Sequence, residues 1–334
     1  MLKVLAAGVQ TTVQDAGRFG WYHIGMPPSG AMDQFSFRVG NLLVGNAEGA
    51  AALETTFLGP EVELGADTIV AITGAPLELK VNGMPASMWV ALALKKGDRI
   101  TCGAVMAGVR SYVCLAGGIE VPELLGSRST YMLGRFGGLG GRALAAGDIL
   151  RVGEPAGSAD RMVGRRIDSR LLPSFPATAE LRILMGLCGY RLTEDSKADL
   201  LASTWEVSTE ADRIGYRLHG AQFRFIDREP PFGAGSDPSN VVDVGYPVGS
   251  IQVPGGKEAI LLMRDAVTGG GYATIGTVVQ CDLDKVAQAA PRTKIKFRTV
   301  EIQDALRLRA AYRARLRAAA GALALFDNAG WLGQ

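Results

Sequence analysis

A mainly β protein of two domains, with few helices and one C-terminal helix, is what the sequence predicts. Three features predict it: short apolar runs bounded by turn residues, 44 glycines in 334 residues, and helical periodicity confined to two stretches. Glycine at roughly twice its usual ~7% share means many turns and close backbone approaches. At about 150 residues per domain, the length suits two.

In the first half, residues 68–73 and 77–81 are short strand-like runs separated by Gly74-Ala75-Pro76. Asn82-Gly83 follows as a hairpin-turn signal. Residues 93–102 and 145–152 each place a Gly-Asp turn before an apolar strand, at Gly97-Asp98 and Gly147-Asp148. A helix is expected over 33–44, where Met32-Asp33 can cap and Phe35, Val39, Leu42 and Leu43 form an apolar face. Residues 156–178 hold Gly157, Gly164, Pro173 and Pro176 without sustained periodicity, so the interdomain linker is placed there, after an N-terminal domain of residues 1–155. The second domain, 179–299, opens with a strand at 180–185 and continues with strands at 205–207, 251–253, 259–263 and 275–279. Residues 300–326 read as a helix, with Leu308, Tyr312, Leu316, Ala319 and Leu323 at near-helical spacing.

Composition narrows the function classes. Hydrophobic residues make up 48% of the chain and the net charge is only +2, which argues against disorder and against a whole-molecule nucleic-acid footprint. The arginine run Arg307, Arg309, Arg313, Arg315 and Arg317 is therefore read as a solvated helix face or a partner contact. The apolar start, residues 1–7, is too short for a signal peptide, and no stretch reaches the ~20 apolar residues of a membrane span, so a cytoplasmic protein is expected. Cys102, Cys114, Cys188 and Cys281 lack CxxC spacing and read as reduced thiols. Two histidines and unclustered acids make a metal site unexpected.

Residues 11–33 crowd Asp15, Arg18, His23, Ser29 and Asp33 between Gly17, Gly20, Gly25, Pro27, Pro28 and Gly30. No regular element survives that punctuation, so the segment should be a folded loop, where chemistry and binding are commonly carried. His23 suits proton transfer near neutrality, and His219, at a strand end, less so. The plainer alternative is that Asp15 and Ser29 stabilise turns and Arg18 pairs with a carboxylate. Ser29, His23 and Asp33 could be drawn as a triad, but no G-x-S-x-G elbow supports it.

The same loop is the strongest part of a family resemblance. Thr11-Thr12-Val13-Gln14-Asp15 with Gly17-Arg18 and Gly20, then His23-x-Gly25-x-Pro27-x-Ser29-Gly30-Ala31-Met32-Asp33, Gly45-Asn46 and Leu53-Glu54-Thr55, resembles the carboxyltransferase-domain subunit 2 family. Further matches are residues 125–130, 140–142 with Gly147-Asp148, 212–218 and 249–254, so the likeness runs over roughly residues 8–297. That family includes subunit 2 of allophanate hydrolase-type proteins, the C subunit of bacterial ATP-dependent 5-oxoprolinase and the matching segment of urea carboxylase. The resemblance implies two domains built on cyclophilin-like β-barrels.

Other segments weigh on the site. Arg128, among the hydroxyls of residues 126–130, could cradle an anion or carboxyl group, or the serines could simply cap a turn. Arg213 could hold an anion through its planar fork, or pair internally to fix its turn. Residues 265–272 read as a glycine loop, without the GK[ST] of a phosphate loop. Relative to the family pattern, Val267, Gly269 and Ala273 depart there, and Arg292-Thr293 departs later. Gln252, within residues 249–254, and Tyr272, at the end of the glycine loop, complete the candidate binding set.

The expectation is one component of an ATP-dependent 5-oxoprolinase, opening 5-oxoproline to glutamate. His23, Asp15 and Asp33 would be catalytic; Arg18, Ser29, Arg128, Arg213, Gln252 and Tyr272 would bind substrate. ATP would be bound at the level of the complex, by a partner or across an interface. The expected partners are a sister carboxyltransferase-domain subunit 1 and a third subunit, making a hetero-oligomer. A first alternative is a carboxyltransferase using biotin on a carrier protein, acting on urea or a related amide. A second is a non-catalytic regulatory binding module.

Overall fold

The computed structural model describes residues 1–157, 161–229 and 231–328, and within the last helix it describes side chains through residue 323. Part of the expected linker, residues 158–160, lies outside the described residues. The chain divides into two compact units, one comprising Met1–Arg18, Ser29–Phe175 and Arg313 onward, the other Phe19–Pro28 and Pro176–Tyr312. The segment 11–33 and the C-terminal helix therefore each contribute to both units, and residues 11–14 of that segment belong to the strand Gln10–Gln14 rather than to the expected loop, because alternate partners on Ala52–Thr56 satisfy their backbone.

The first unit holds two antiparallel sheets. The larger has seven strands in the spatial order Ile119–Glu120, Ile149–Val152, Leu2–Ala6, Glu61–Leu64, Arg99–Val105, Leu77–Val81, Met84–Pro85. The smaller has five, ordered Gln10–Gln14, Ala52–Thr56, Arg110–Leu115, Thr68–Gly74, Leu92–Leu94. Alternation places Leu2 and Val4, then Val62 and Leu64, on the inner face, where they meet Val13, Leu53, Val70, Ile72, Ile100, Val113 and Leu115 in one core. Asn82-Gly83 makes the expected hairpin, with Val81 opposite Met84. The two Gly-Asp turns are near copies: Asp98 accepts from Lys95 N and Asp148 from Ala145 N, each at 2.7 Å.

The helix Gln34–Leu43 begins as expected, with Asp33 as its N-cap accepting from Ser36 N at 3.0 Å. It packs on the strands Arg110–Leu115 and Thr68–Gly74. Gly40 permits that approach, since a Cβ there would lie 2.6 Å from Cys114 Sγ and 2.8 Å from Thr73 Oγ1.

The second unit contains a closed seven-stranded barrel: Thr178–Met185, Thr274–Val278, Ser250–Gln252, Ala259–Leu262, Gly215–His219, Trp205–Ala211 and Lys294–Thr299. The parallel pairing of its first and last strands, Thr178 opposite Lys294 through Ile183 opposite Thr299, closes it. Closure into one barrel is a property of this unit, whereas the strands of the first unit lie in two sheets. The expected glycine loop is partly strand: Gly269–Tyr272 pairs antiparallel with Asn240–Gly245. Side chains too small to signal a strand leave its backbone free to pair. The helix Glu194–Ala202 shows only a weak apolar face, so periodicity does not announce it, although Thr193 caps it. The C-terminal helix spans Ile302–Asn328. Among the described residues no helix is long and apolar enough to cross a membrane, and no group of three or more His, Cys, Asp or Glu could hold a metal ion.

Candidate functional site

In the first unit the polar residues of the signature segment act mainly on backbone. The half-buried Asp15 carboxylate accepts from Gly17 N at 2.8 Å, Arg128 N at 2.6 Å and Ser127 Oγ at 2.7 Å, and also from Ser129 Oγ. The buried Gln14 amide donates to Thr130 O and accepts from Gly30 N, each at 3.1 Å. Arg18 is fully buried; its Nε donates to Leu124 O at 3.0 Å, its Nη2 to Ser129 O at 2.9 Å, and its guanidinium carbon lies 4.8 Å from the Phe136 ring centre. Gly137 lets that loop close around Arg18. Its φ is +71°, and a Cβ would fall 2.1 Å from Ser129 O.

A second buried network holds residues 29–33. Glu54 accepts from Met32 N at 2.7 Å and from the Tyr112 hydroxyl at 2.8 Å, and Asp33 N donates to that hydroxyl at 2.8 Å. Arg110 Nε lies 3.8 Å from Glu54 Oε1, with both side chains buried. Burial first, then the charges of Glu54 and Asp33, push the Tyr112 phenol well above its ordinary range, so it stays a neutral donor. Asp33 spends its carboxylate on Ser36 N and Oγ, and Ser29 is fully buried with φ +50°. Arg128 is different: Asp15 takes its backbone amide, while its half-exposed guanidinium meets Glu123 at 3.4 Å.

The tip of the segment, Phe19–Pro28, belongs to the second unit. Tyr22–Ile24 forms a single 3-10 turn, and the exposed His23 ring stacks on Trp21 with centres 6.1 Å apart. Thr268 Oγ1 donates to Tyr22 O at 3.3 Å. Burial raises the Tyr22 phenol, opposed by a hydrogen bond with the Val248 backbone and by the charge of Arg264. The tip is thereby seated on residues 248, 264 and 268.

Arg213 is buried and pairs with Asp265, Nε to Oδ2 at 2.8 Å. Its partner is thus a carboxylate 52 positions away, while neighbouring Asp212 caps the turn through Ile214 N and Gly215 N. Gln252 is buried beside the Tyr246 hydroxyl, which bridges Tyr272 N at 2.7 Å and Tyr272 O at 3.0 Å. Gln252 and the Tyr272 backbone are thus brought together through Tyr246, and the Tyr272 ring remains exposed. Sequence reasoning assigned no role to Gln14, Glu54, Arg110, Tyr112 or Tyr246. Gln14 and Glu54 stand inside family motifs; for the others only spatial pairing reveals them.

Against known proteins, a family model described as carboxyltransferase domain, subdomain A and B, matches residues 24–299. The chain belongs to this family. Among carboxyltransferase-domain relatives, the C subunit of 5-oxoprolinase from Escherichia coli is 35% identical over 92% of this chain and 94% of that protein. Urea amidolyase of Lachancea kluyveri is 34% identical over 92% of this chain but only 17% of its own length. The crystal structure of Kluyveromyces lactis urea carboxylase superposes with a TM-score of 0.89 at 32% identity, over 94% of this chain and 29% of that one. The carboxyltransferase domain therefore corresponds to a small part of the urea-processing relatives and to nearly all of the oxoprolinase component.

Proposed function

We propose that the chain is the C subunit of an ATP-dependent 5-oxoprolinase, opening 5-oxoproline to glutamate together with a sister carboxyltransferase-domain subunit 1 and a third subunit in a cytoplasmic hetero-oligomer. The observation that carries this reading is the 35% identity extending over 94% of the Escherichia coli relative, the C subunit of 5-oxoprolinase. Opening an unstrained lactam needs its carbonyl oxygen activated or held by donors, and a base to position water. Of the expected residues, His23 keeps an exposed ring suited to the base, and Arg128 keeps a half-exposed guanidinium suited to a carbonyl or carboxylate. Asp15, Arg18, Ser29 and Asp33 act as positioning residues, because their polar groups are buried against the loop backbone or helix cap. Arg213, engaged by Asp265, and Gln252, beside Tyr246, shape the strand ends near Tyr272 and Val267.

ATP is assigned to a partner. The glycine run that would have to cradle a phosphate here is strand paired with Asn240–Gly245, and the element that follows it is another strand, Thr274–Val278, rather than a helix. A second reading, carboxyl transfer from biotin on a carrier protein to urea or a related amide, is favoured by the TM-score of 0.89 to urea carboxylase. The two are separated by co-purifying the chain with its genomic partners and measuring ATP-dependent glutamate release from 5-oxoproline beside biotin-dependent carboxylation of urea. Glutamate release is the expected result, and urea carboxylation without it would replace the first reading by the second.

A further inference from the structure

Arg191, at the end of the 3-10 turn Gly189–Arg191 in the second unit, is almost completely buried. Its Nη1 donates to Asn240 O at 2.7 Å and its Nη2 to Pro238 O, while its Nε donates to no protein atom. Arg228 Nη2 donates to the same Asn240 carbonyl at 3.1 Å. Two guanidinium groups thus converge on one carbonyl oxygen. Among the described residues, neither has a carboxylate at ion-pair distance.

That arrangement is electrostatically costly. A carbonyl supplies only a partial charge, and an uncompensated buried cation is retained in proteins mainly where it meets an anion. Asp237, in the adjoining segment, gives its carboxylate to Ser239 N and Oγ at 2.8 and 2.6 Å rather than to either arginine. The Phe225 ring lies 5.8 Å from the Arg191 guanidinium carbon and covers one side of it. Burial first, then the like charge of Arg228, pull Arg191 below its ordinary value, the opposite of what a carboxylate partner would do. The side chain of Arg228 is exposed to solvent.

We propose that Arg191 and Arg228 form a binding site for an oxyanion, a carboxylate or phosphate group, held between the two guanidinium groups with Arg191 Nε as a donor. A planar fork and a second cation match the two or three oxygens of such a group. The site goes beyond the oxoprolinase reading and does not depend on it.

The test is calorimetric titration of the full chain with sodium phosphate and, separately, sodium acetate, at ionic strength held constant with sodium chloride. Saturable binding of at least one is expected, with Arg228→Gln and Arg191→Lys each weakening it tenfold or more. Saturation by phosphate alone assigns a phosphate ligand and by acetate alone a carboxylate. No saturable binding of either, or unchanged affinity in Arg228→Gln, overturns the proposal. Because Arg228 is exposed, its variant decides the matter even where Arg191→Lys does not fold. The readout needs no turnover, so it stands or falls apart from the oxoprolinase assay.

Discussion

Asp15 accepts from two backbone amides and two hydroxyls, so its removal strands several donors at once. Hydrogen bonds to a charged group contribute about 1.5–3 kcal/mol each and are not additive, so Asp15→Ala should cost on the order of 3 kcal/mol, read as a lowered urea midpoint. His23→Ala should behave in the opposite way. Its ring is exposed, so the melting temperature should hold while turnover of the reconstituted complex falls by about 10²–10⁴-fold. Equal melting and equal turnover in both variants would leave the loop without either role. The cysteines offer a further check: burial pushes the Cys102 thiol up to about 12, and Cys114 higher still, whereas Cys281 is only half buried. A thiol reagent at pH 8 should label Cys281 first and Cys102 and Cys114 only on unfolding, as peptide mass spectrometry would show.

At the scale of elements, the barrel is tied at one corner by a charge cluster. Asp282, fully buried, accepts from Arg182 N at 2.9 Å, and its carboxylate lies 2.6 Å from Arg182 Nη2 and 2.9 Å from Lys285 Nζ. Burial alone would raise its pKa, but the hydrogen bonds from Arg182 and Lys285 outweigh it and leave the carboxyl below its ordinary value. A depressed folded-state pKa contributes stability above the unfolded value near ~3.9, and that stability is lost as pH falls through the folded value. Urea-unfolding free energy followed from pH 7 to pH 3 should therefore drop, and Asp282→Asn should be less stable at pH 7 and flatter with pH. The C-terminal helix has a comparable anchor, with Leu316, Ala319 and Leu323 buried and Arg315 lying 3.8 Å from the Phe35 ring centre. Leu316→Ala should cost about 2–4 kcal/mol by thermal melting, and an unchanged midpoint would mean the helix is not held by that face.

For the whole molecule, the proposed role sets a clear expectation. The chain alone should release no glutamate from 5-oxoproline with ATP, and the chain with its sister and third subunits should; full activity of the isolated chain would sink the multi-subunit reading. The polar groups of Gln14, Asp15, Arg18 and Glu54 agree with this expectation, since they are engaged inside the first unit.

Periodicity and turn chemistry are local, and what they encode was legible: the strands at 68–74 and 77–81, the Asn82-Gly83 hairpin, the twin Gly-Asp turns, the Asp33 cap and the C-terminal helix. The family, too, was legible, because its motif residues sit at fixed spacings in one order. Other features needed the folded chain. Asp15 meets residues 112 to 114 positions away, Arg213 meets Asp265 instead of adjacent Asp212, and Gly269–Tyr272 pairs as a strand with no side-chain pattern to announce it. A side chain's burial and partner depend on which distant backbone folds over it, and one polar residue type reads alike as catalyst, cap or clamp until that backbone is in place.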